Sequence, residues 1–278
     1  MSGTEQAACV RIEPDGGPIA LRLGDIWASR ELVYFLAWRD LKVRYRQTVL
    51  GGAWAIVQPL STMLVFAVVF GHLGRMPSDH LPYPLFVYAG LLPWQLFAYA
   101  LTDTSRSLIA NERLLTKIYF PRLVIPVAAL AVGLVDFAVA GSVLLLMMGW
   151  YGIGPGLAVL TLPLFVALAI LAALGGAVWL SALNVRYRDV RHTVAFLAQL
   201  WLFVTPVAYP SSLIPAGWRT LYGLNPMVGV VEGFRWSLVG AGPFPTTLVA
   251  ISIVVTAVVL ISGLRYFRRV ELTFADML

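Results

Sequence analysis

Charged residues are scarce in this chain of 278 residues. Asp, Glu, Lys and Arg make up 12% of it, against about 25% in an average soluble domain, and 59% of the residues are hydrophobic. This composition excludes an ordinary water-soluble domain. Five stretches carry no charge at all: 49–70, 81–102, 137–185, 193–218 and 236–264. Because about 20 apolar residues are enough for a helix to cross a bilayer, several of these stretches can span a membrane.

Cysteine and histidine are also scarce, which limits redox and metal chemistry. The single cysteine, Cys9, cannot form an intramolecular disulfide or, by itself, a metal cluster. The histidines, His72, His80 and His192, are scattered, and none belongs to an HExxH pair or to a carboxylate spacing typical of metal sites. We therefore expect no metal and no catalytic residues in this chain. A membrane-embedded transferase would need clustered polar catalytic groups, which the sequence does not offer.

Lysine occurs only twice, at Lys42 and Lys117, and neither lysine follows a glycine. A phosphate-binding loop needs the pattern GxxxxGK[ST], whose backbone cradles the phosphates of a nucleotide. The chain therefore has no nucleotide site of this type and cannot hydrolyse ATP by that route. No cofactor is expected to bind to it.

The apolar stretches predict an all-α integral membrane protein with six transmembrane helices. We place these helices near 49–71, 84–105, 121–149, 157–184, 193–209 and 244–264. The charge-free run 137–185 is too long for one crossing, and its segment WYGIGPG at 150–156 contains turn-forming residues and interfacial aromatics. This segment is therefore predicted to be a tight turn between the third and fourth helices.

Lysines and arginines lie almost entirely on one side of this arrangement. Seventeen of the 20 fall on the side of the chain termini, and only Arg75, Arg219 and Arg235 fall on the other. Positively charged segments stay in the cytoplasm, so both termini are predicted to be cytoplasmic in a bacterial inner membrane. The net charge of +6 could suggest nucleic acid, but the basic residues flank apolar spans, where they meet anionic lipid headgroups. Membrane lipids, and not nucleic acid, are the expected partners.

The sequence divides into four segments. Residues 1–28 form a polar cytoplasmic tail without the apolar core of a cleavable signal peptide, so we expect the tail to stay attached. Residues 29–47 form an amphipathic interfacial helix, with an ordinary solvated helix as the alternative, because apolar and basic side chains recur on separate faces: Tyr34, Trp38, Leu41 and Tyr45 against Arg39, Lys42 and Arg46. Residues 48–270 hold the six spans, and 271–278 form a cytoplasmic C-terminal tail.

Two cytoplasmic segments lie between spans. The segment 106–122 has a helical centre at 111–117 with Asn111 as a possible N-cap, and it has more apolar side chains than a solvated loop needs: Leu114, Leu115, Ile118 and Tyr119. We interpret it as a docking surface for another protein, although a plain connector is the alternative. The second segment, 184–191, is very short and carries Arg186, Arg188 and Asp189. Its arginines are also explained by topology alone.

The 34 residues between the fifth and sixth predicted spans, 210–243, are predicted to form an external hairpin together with the end of the fifth span. Pro206 and the Tyr209-Pro210 pair interrupt the fifth helix, and Asn225 with Pro226 is a good N-cap and first residue for a new one. This new helix has some 13 residues, too few to span, and fits a re-entrant or surface helix. Glu232 and Arg235 are spaced to neutralise one another and to brace the hairpin, so exchanging their charges should preserve part of the function.

Asp136 is the one acidic residue deep inside a predicted span. An intramembrane charge is costly and is a functional candidate by default, but a protonated or paired Asp136 that steadies the bundle is the favoured interpretation. Six aromatic residues are candidate ligand contacts: Trp94, Phe97, Tyr99, Trp179, Trp201 and Phe203. A lipid-facing belt or core packing is the alternative for each of them.

Several long segments resemble the permease subunits of bacterial ABC exporters for O-antigen, capsule and teichoic-acid polymers, a family of type-2 ABC permeases. The resemblance covers about residues 30–270 and is carried by LAWRDLKVRYRQTVLGGAWAIVQPL, YAGLLPWQLF, NERLLTKIYFPRLVIP, LNVRYRDVRHTVAFLAQLWLFVTPVAYP and LNPMVGVVEGFRWSLVG. It implies a homodimer with a channel between the two permeases. It also implies a separate cytoplasmic ATPase, in two copies, that binds ATP and Mg, and a cargo glycan linked to undecaprenyl diphosphate.

The resemblance also implies roles for particular residues. The candidates for ATPase coupling are Glu112, Arg113, Leu114, Leu115, Lys117, Arg186, Arg188 and Asp189. The candidates for an external gate are Pro206, Tyr209, Asn225, Glu232 and Arg235, and the six aromatics are candidates for the channel. The same architecture serves teichoic acids, capsules, lipo-oligosaccharides and drugs, which the sequence separates poorly. A proton-coupled secondary transporter is a further alternative, with Asp136 as its thin support.

Overall fold

Helices are the only regular elements in the described part of the chain, which comprises residues 23–46, 51–79, 81–117, 120–187, 189–240 and 243–271 of a computed structural model. They are α1 (Leu23–Ala28), α2 (Arg30–Arg46), α3 (Trp54–Phe66), α4 (Tyr83–Thr102), α5 (Ser107–Ala110), α6 (Glu112–Lys117), α7 (Val124–Trp150), α8 (Leu162–Arg186), α9 (Val190–Val204), α10 (Ala216–Gly223), α11 (Pro226–Val239) and α12 (Thr246–Glu271). Short 3-10 helices, Gly51–Ala53 and Leu157–Thr161, precede α3 and α8, and a π-helix, Ala67–Leu73, continues α3. Most of both predicted tails lies outside the described residues, as do Arg188, Ile118 and Tyr119.

Five helical stretches are long and apolar enough to cross a membrane: Gly51–Leu73, Tyr83–Ala110, Val124–Trp150, Leu157–Arg186 and Thr246–Glu271. They coincide with five of the six predicted spans. The remaining one, predicted at 193–209, corresponds to α9, which has 15 residues and is shorter than the roughly 30 Å of a hydrocarbon core. The α-helix ends at Val204, because Thr205 is extended (φ −101°, ψ 141°) before Pro206, as residues that precede proline prefer. The predicted interruption at Pro206 is confirmed, and the helix stops short of residue 209, the predicted end of the span.

The turn between α7 and α8 lies where the sequence predicts it. The last turn of α7 closes with hydrogen bonds from Tyr151 N to Met147 O at 3.0 Å and from Ile153 N to Met148 O at 2.9 Å. Gly152 has a positive φ of 67°, a conformation that glycine adopts without steric cost. The α7–α8 pair is therefore a helical hairpin with a short connection.

Helix α4 is the centre of the bundle. In its apolar window 78% of the residues are buried, against 11% to 33% in the other four long stretches. It packs against α3, α7, α8, α9 and α11.

Helices α8 and α12 are in close contact. A Cβ atom added at Gly263 would lie only 2.9 Å from the carbonyl oxygen of Gly175, so glycine is needed for this contact. Small residues at helix contacts allow such close packing in membranes.

Helix α2 packs against α7, and Tyr45 of the predicted stripe takes part in this contact. Its buried residue is Leu36, which belongs to an apolar cluster at the end of the bundle where α5, α8 and α12 also contribute. Tyr34 and Trp38 are 62% and 47% exposed, and their rings are stacked with centroids 6.5 Å apart. Helix α2 therefore has one apolar face on the protein and a second that points away from it.

Candidate functional site

The segment from Thr205 to Val239, here called the external hairpin, contains two short helices, α10 and α11. The predicted start of α11 is confirmed, because the Asn225 side-chain oxygen accepts from Met227 N at 3.0 Å and Pro226 is the first helical residue. These are the usual N-cap and first-turn choices. Helix α10 is not predicted by the sequence.

Three side chains donate hydrogen bonds to backbone carbonyl groups at the end of α9 and in the irregular turn that follows it. The carbonyl groups of Phe203, Val207 and Ala208 accept hydrogen bonds from Tyr209 OH, Arg235 Nη2 and Tyr83 OH, at 2.9, 2.6 and 2.6 Å. Pro206 is buried within this turn. Non-helical backbone at membrane depth is tolerated only when its polar groups find partners inside the protein. These three donors therefore make the early end of α9 possible.

Arg235 connects three elements at the base of the external hairpin. Its side chain is 5% exposed, its Nε donates to Phe86 O of α4 at 3.0 Å, and its guanidinium lies 3.7 Å from the Phe86 ring centre. The predicted pair with Glu232 exists, but its closest distance is 3.6 Å, longer than the bonds to the carbonyls of Phe86 and Val207. Gly90 provides the room, because a Cβ atom there would lie 2.4 Å from Arg235 Nη2. The guanidinium thus acts first as a hydrogen-bond donor to backbone.

Glu232, Tyr209 and Tyr222 hold the rest of the external hairpin. The Glu232 carboxylate accepts from Ser211 N at 3.0 Å, and the Tyr222 hydroxyl donates to the Tyr209 hydroxyl at 3.1 Å. Burial, and then this hydrogen bond, raise the pKa of Tyr222 well above its ordinary value. The phenol therefore remains a donor at every physiological pH. Asn225 Nδ2 adds a bond to Thr205 Oγ1 at 3.0 Å.

Asp136 is paired inside the bundle. Its carboxylate lies 2.9 Å from Arg44 Nη2 and also accepts from the hydroxyl of Tyr45, both from the end of α2. The Arg44 guanidinium lies 4.8 Å from the ring centre of Tyr99. A cavity of about 240 Å³ surrounds these groups, and Gln58, Gln95 and Asp103 also line it. The interpretation of Asp136 as a paired residue that steadies the bundle agrees with this placement.

We expect Asp136→Asn to lower the thermal stability of the purified protein, because Arg44 then loses its counter-ion. The double variant Asp136→Asn with Arg44→Gln should lose less stability than the two single changes predict together. For residues in contact, the stability change of a double variant differs from the sum of the single changes by roughly 0.5–3 kcal/mol. Because Arg44 is partly exposed, we expect a difference toward the lower end of this range. The measurement is thermal unfolding of all four proteins in one detergent. Strictly additive losses would contradict a structural role for the pair.

The six aromatic candidates for a channel have different environments. Trp94 and Phe97 are 3% and 2% exposed in the central core, so a glycan reaches neither ring in this conformation. The Trp201 ring packs edge-on against Phe97 with centroids 5.3 Å apart, and Tyr99 is half-buried beside Arg44. Only Trp179 and Phe203 are well exposed, at 39% and 55%. These two side chains are accessible to a ligand, to lipid or to a second protein.

Polar bonds join three segments at the end of the bundle that carries most of the positive charge. Arg39 Nη2 of α2 donates to the Asn111 side-chain oxygen at 2.6 Å, and the Asn111 amide donates to Ser107 O at 2.8 Å. Arg106 Nη2 donates to Arg191 O at 2.9 Å. Asn111 is therefore a bridge between α2 and the segment 106–122, a role that its local sequence does not indicate.

The buried residue Asn184 makes a second connection between the two predicted cytoplasmic segments. It lies near the end of α8 and is 1% exposed. Its Nδ2 donates to the backbone oxygen of Ser105 at 3.0 Å and to its hydroxyl at 3.1 Å. These two bonds connect the segment after α4 directly to α8.

The candidate coupling residues divide into an inner and an outer set. Leu114 and Leu115 of α6 are half-buried against the apolar cluster that contains Leu36. The charged residues around them are exposed: Glu112, Arg113 and Lys117, together with Arg186 and Asp189 in the next segment. The Arg186 guanidinium lies 5.3 Å from the ring centre of Tyr187. The two leucines thus attach α6 to this chain, and charged side chains form its outer surface.

Comparison with known proteins gives consistent similarities. Residues 31–239 match the family described as ABC-2 type transporter. The O-antigen export system permease protein RfbA of Myxococcus xanthus is 32% identical over 76% of this chain and 81% of its own length. A protein of the same name from Klebsiella pneumoniae is 29% identical over 89% and 95%. The polysialic acid transport protein KpsM of Escherichia coli is 24% identical over 70% and 76%.

Proposed function

This chain belongs to the ABC-2 type transporter family, and we propose that it is the permease subunit of an ATP-driven exporter that carries a lipid-linked polysaccharide across a bacterial inner membrane. The family and the five long apolar helices make it an integral inner-membrane protein. The observation that carries the proposal is that the family match runs from α2 to the end of α11. It thus includes both candidate cytoplasmic segments and the external hairpin.

The names of the relatives favour a polysaccharide as cargo. Two are named for O-antigen export and one for polysialic acid transport, and all three are matched over at least 70% of this chain. A glycan linked to undecaprenyl diphosphate fits the first name, and capsule, teichoic acid and lipo-oligosaccharide remain the alternatives within the same architecture. The alternative of a proton-coupled transporter rests on Asp136 alone. The carboxylate of Asp136 is paired with Arg44 and Tyr45, so it is not an isolated intramembrane acid.

The proposed assembly is a homodimer in which each permease binds one cytoplasmic ATPase. In it α9 and the irregular turn that follows complete a sixth crossing, α2 lies at the cytoplasmic membrane surface, and α11 is re-entrant from outside. Both termini are cytoplasmic. The exposed rings of Phe203 and Trp179 are the channel candidates best placed to contact a glycan between two copies.

Deleting this chain in its native bacterium tests the export function. Surface glycan should disappear, and glycan linked to undecaprenyl diphosphate should accumulate inside the cell until the wild-type chain is restored. The readouts are immunoblotting of surface glycan and mass spectrometry of the extracted lipid. Unchanged surface glycan in the deletion strain would overturn the proposal, and accumulation of a different lipid-linked polymer would reassign the cargo.

Cysteine labelling tests the proposed orientation. In a Cys9→Ser background, a cysteine at Ser78 or Ser212 is expected to react with an impermeant maleimide from outside the inner membrane. A cysteine at Ser2 or Lys117 should react only after permeabilisation. The expectation rests on the distribution of positive charge, with 17 of 20 basic residues on the terminal side. The opposite pattern would overturn the topology.

The proposed gate and the proposed ATPase contact lie at opposite ends of the helix bundle. The external hairpin is the proposed gate, with Pro206, Tyr209, Asn225, Glu232 and Arg235 fixing the turn between α9 and α10. The segments 106–122 and 184–191 are the proposed contact with the ATPase, which binds ATP and Mg. Bonds from Asn184 to Ser105 and from Arg106 to Arg191 support joint movement of these two segments.

A further inference from the structure

A second cavity lies beside the external hairpin, on the proposed outer side. It has a volume of about 720 Å³, is open on one side, and is lined by α10, α11, the start of α12, the turn at Ser211 and Ser212, and the loop that contains Asp79. Small-molecule sites generally have volumes of about 300–1,000 Å³. This space, here called the external cavity, is therefore large enough for a ligand of one or two sugar rings.

The charged groups of the external cavity balance one another. Two carboxylates and two guanidiniums are among its described lining residues: Asp79, Glu232, Arg219 and Arg235. Hydroxyl groups of serine and threonine complete the polar lining, at Ser211, Ser212, Thr220, Thr246 and Thr247. Equal numbers of positive and negative groups give the cavity no net charge with which to attract a phosphate or a metal ion. It offers donors and acceptors at short intervals, which suits a ligand that carries many hydroxyl groups.

An aromatic pair supplies an apolar wall. Trp236 of α11 and Phe244, just before α12, line the external cavity, and their rings are perpendicular with centroids 4.9 Å apart. Both rings are partly exposed. A sugar ring has a flat C–H face and a hydroxyl edge, so it can stack on an aromatic face while its edge meets polar groups.

The polar groups are held in position without a ligand. Arg219 donates through Nε to Ile214 O at 3.0 Å and through Nη2 to Ser212 O at 3.3 Å, which leaves its other N–H groups for a ligand. Glu232 is fixed by Ser211 N at 3.0 Å. Preorganised donors and acceptors lower the cost of binding, because they lose little freedom when the ligand arrives.

We propose that the external cavity binds one or two neutral sugar units of the glycan as it leaves the permease. This inference rests on the proposed export function. Stacking on Trp236 and Phe244 fixes the ring, and Arg219, Asp79 and the hydroxyl side chains bind its edge. A weak site outside the gate holds the emerging chain while the ATPase resets and so opposes backward sliding.

Photo-crosslinking in glycan-producing cells tests the proposal. The photoreactive residue p-benzoylphenylalanine replaces Thr247, which is exposed in the external cavity, or Leu157, which is 89% exposed at the α7–α8 turn on the same proposed side. After irradiation, the permease is purified and stained for carbohydrate. A glycan adduct is expected at Thr247 and not at Leu157. An adduct with phospholipid alone, or no adduct while surface glycan is still exported, would overturn the sugar site and leave the export function intact.

Removing the aromatic wall provides a second measurement. Trp236→Ala should reduce the glycan adduct at Thr247 by roughly three- to tenfold, the loss expected for one aromatic contact, and Trp236→Phe should largely restore it. Thr220→Trp, which fills the cavity from α10, keeps the test valid if Trp236→Ala fails to fold. Trp150→Ala, at a tryptophan that is 87% exposed outside the cavity, is the matched control and should leave the adduct unchanged. If the cavity variants give the same adduct as this control, the proposal is wrong.

Discussion

Replacing Arg235 with methionine is expected to abolish export and to lower the yield of folded permease several-fold. Methionine occupies similar space but donates no hydrogen bond. The carbonyl groups of Phe86 and Val207 would lose the donor seen at 3.0 and 2.6 Å, and Glu232 would lose its cation. Breaking a buried pair by removing one partner typically costs about 3–5 kcal/mol, so this change is expected to exceed most single substitutions in effect.

The measurement combines the yield of monodisperse protein after size-exclusion chromatography with the amount of surface glycan. Arg235→Lys should give an intermediate result, because a lysine ammonium cannot reach two carbonyls with the geometry of a guanidinium. Arg75→Met is the matched control, since Arg75 is exposed on the same proposed side, and it should behave as wild type. A normal yield and normal export from Arg235→Met would refute the bracing role.

Exchanging the charges of Glu232 and Arg235 distinguishes two interpretations of this site. The spacing in the sequence predicts an ion pair, and an ion pair survives exchange in part. The structure leads to the opposite expectation, because a glutamate at position 235 would point its carboxylate at the carbonyl oxygens of Phe86 and Val207. We therefore expect the exchanged protein to fail as completely as Arg235→Met.

Local sequence signals predicted the elements that depend on local interactions. The turn between α7 and α8 and the start of α11 follow from turn residues and capping, which act between near neighbours. The early end of α9 also had a local signal. Pro206 predicts an interruption of this helix, and Thr205 is extended, as residues that precede proline prefer.

Features that depend on distant contacts could not be predicted. Within a uniformly apolar helix such as α4, composition gives no indication that Trp94 and Phe97 face the core. The bonds from Arg235 to α4 and from Asn184 to Ser105 join residues that are 149 and 79 positions apart. The inward packing of Leu114 and Leu115 likewise depends on α2, α8 and α12, which supply the cluster beneath them.

Reversing the exposed charges of α6 is expected to weaken ATPase binding. Arg113 and Lys117 lie on the outer surface of this helix, whereas Leu114 and Leu115 are directed into the chain's own cluster. The double variant Arg113→Glu with Lys117→Glu should reduce co-purification of the ATPase by about tenfold or more, because rim charges guide association and reversed charges repel. Leu115→Asp should instead lower the yield of permease, since it buries a charge in that cluster.

Replacing Asn184 with leucine should leave ATPase binding intact and uncouple it from export. Asn184 is buried beside the proposed ATPase contact, and its amide holds Ser105, next to the Arg106 side chain that bonds to Arg191. Leucine has similar size and removes these bonds, so the segments 106–122 and 184–191 should move less as one body. Co-purification and ATP hydrolysis should stay near wild type while surface glycan falls several-fold.

Arg75→Glu, on the opposite side of the membrane in the proposed topology, is the control for the charge reversals in α6. If the α6 reversals and Asn184→Leu all leave association, hydrolysis and export unchanged, these segments are connectors and the ATPase contact lies elsewhere.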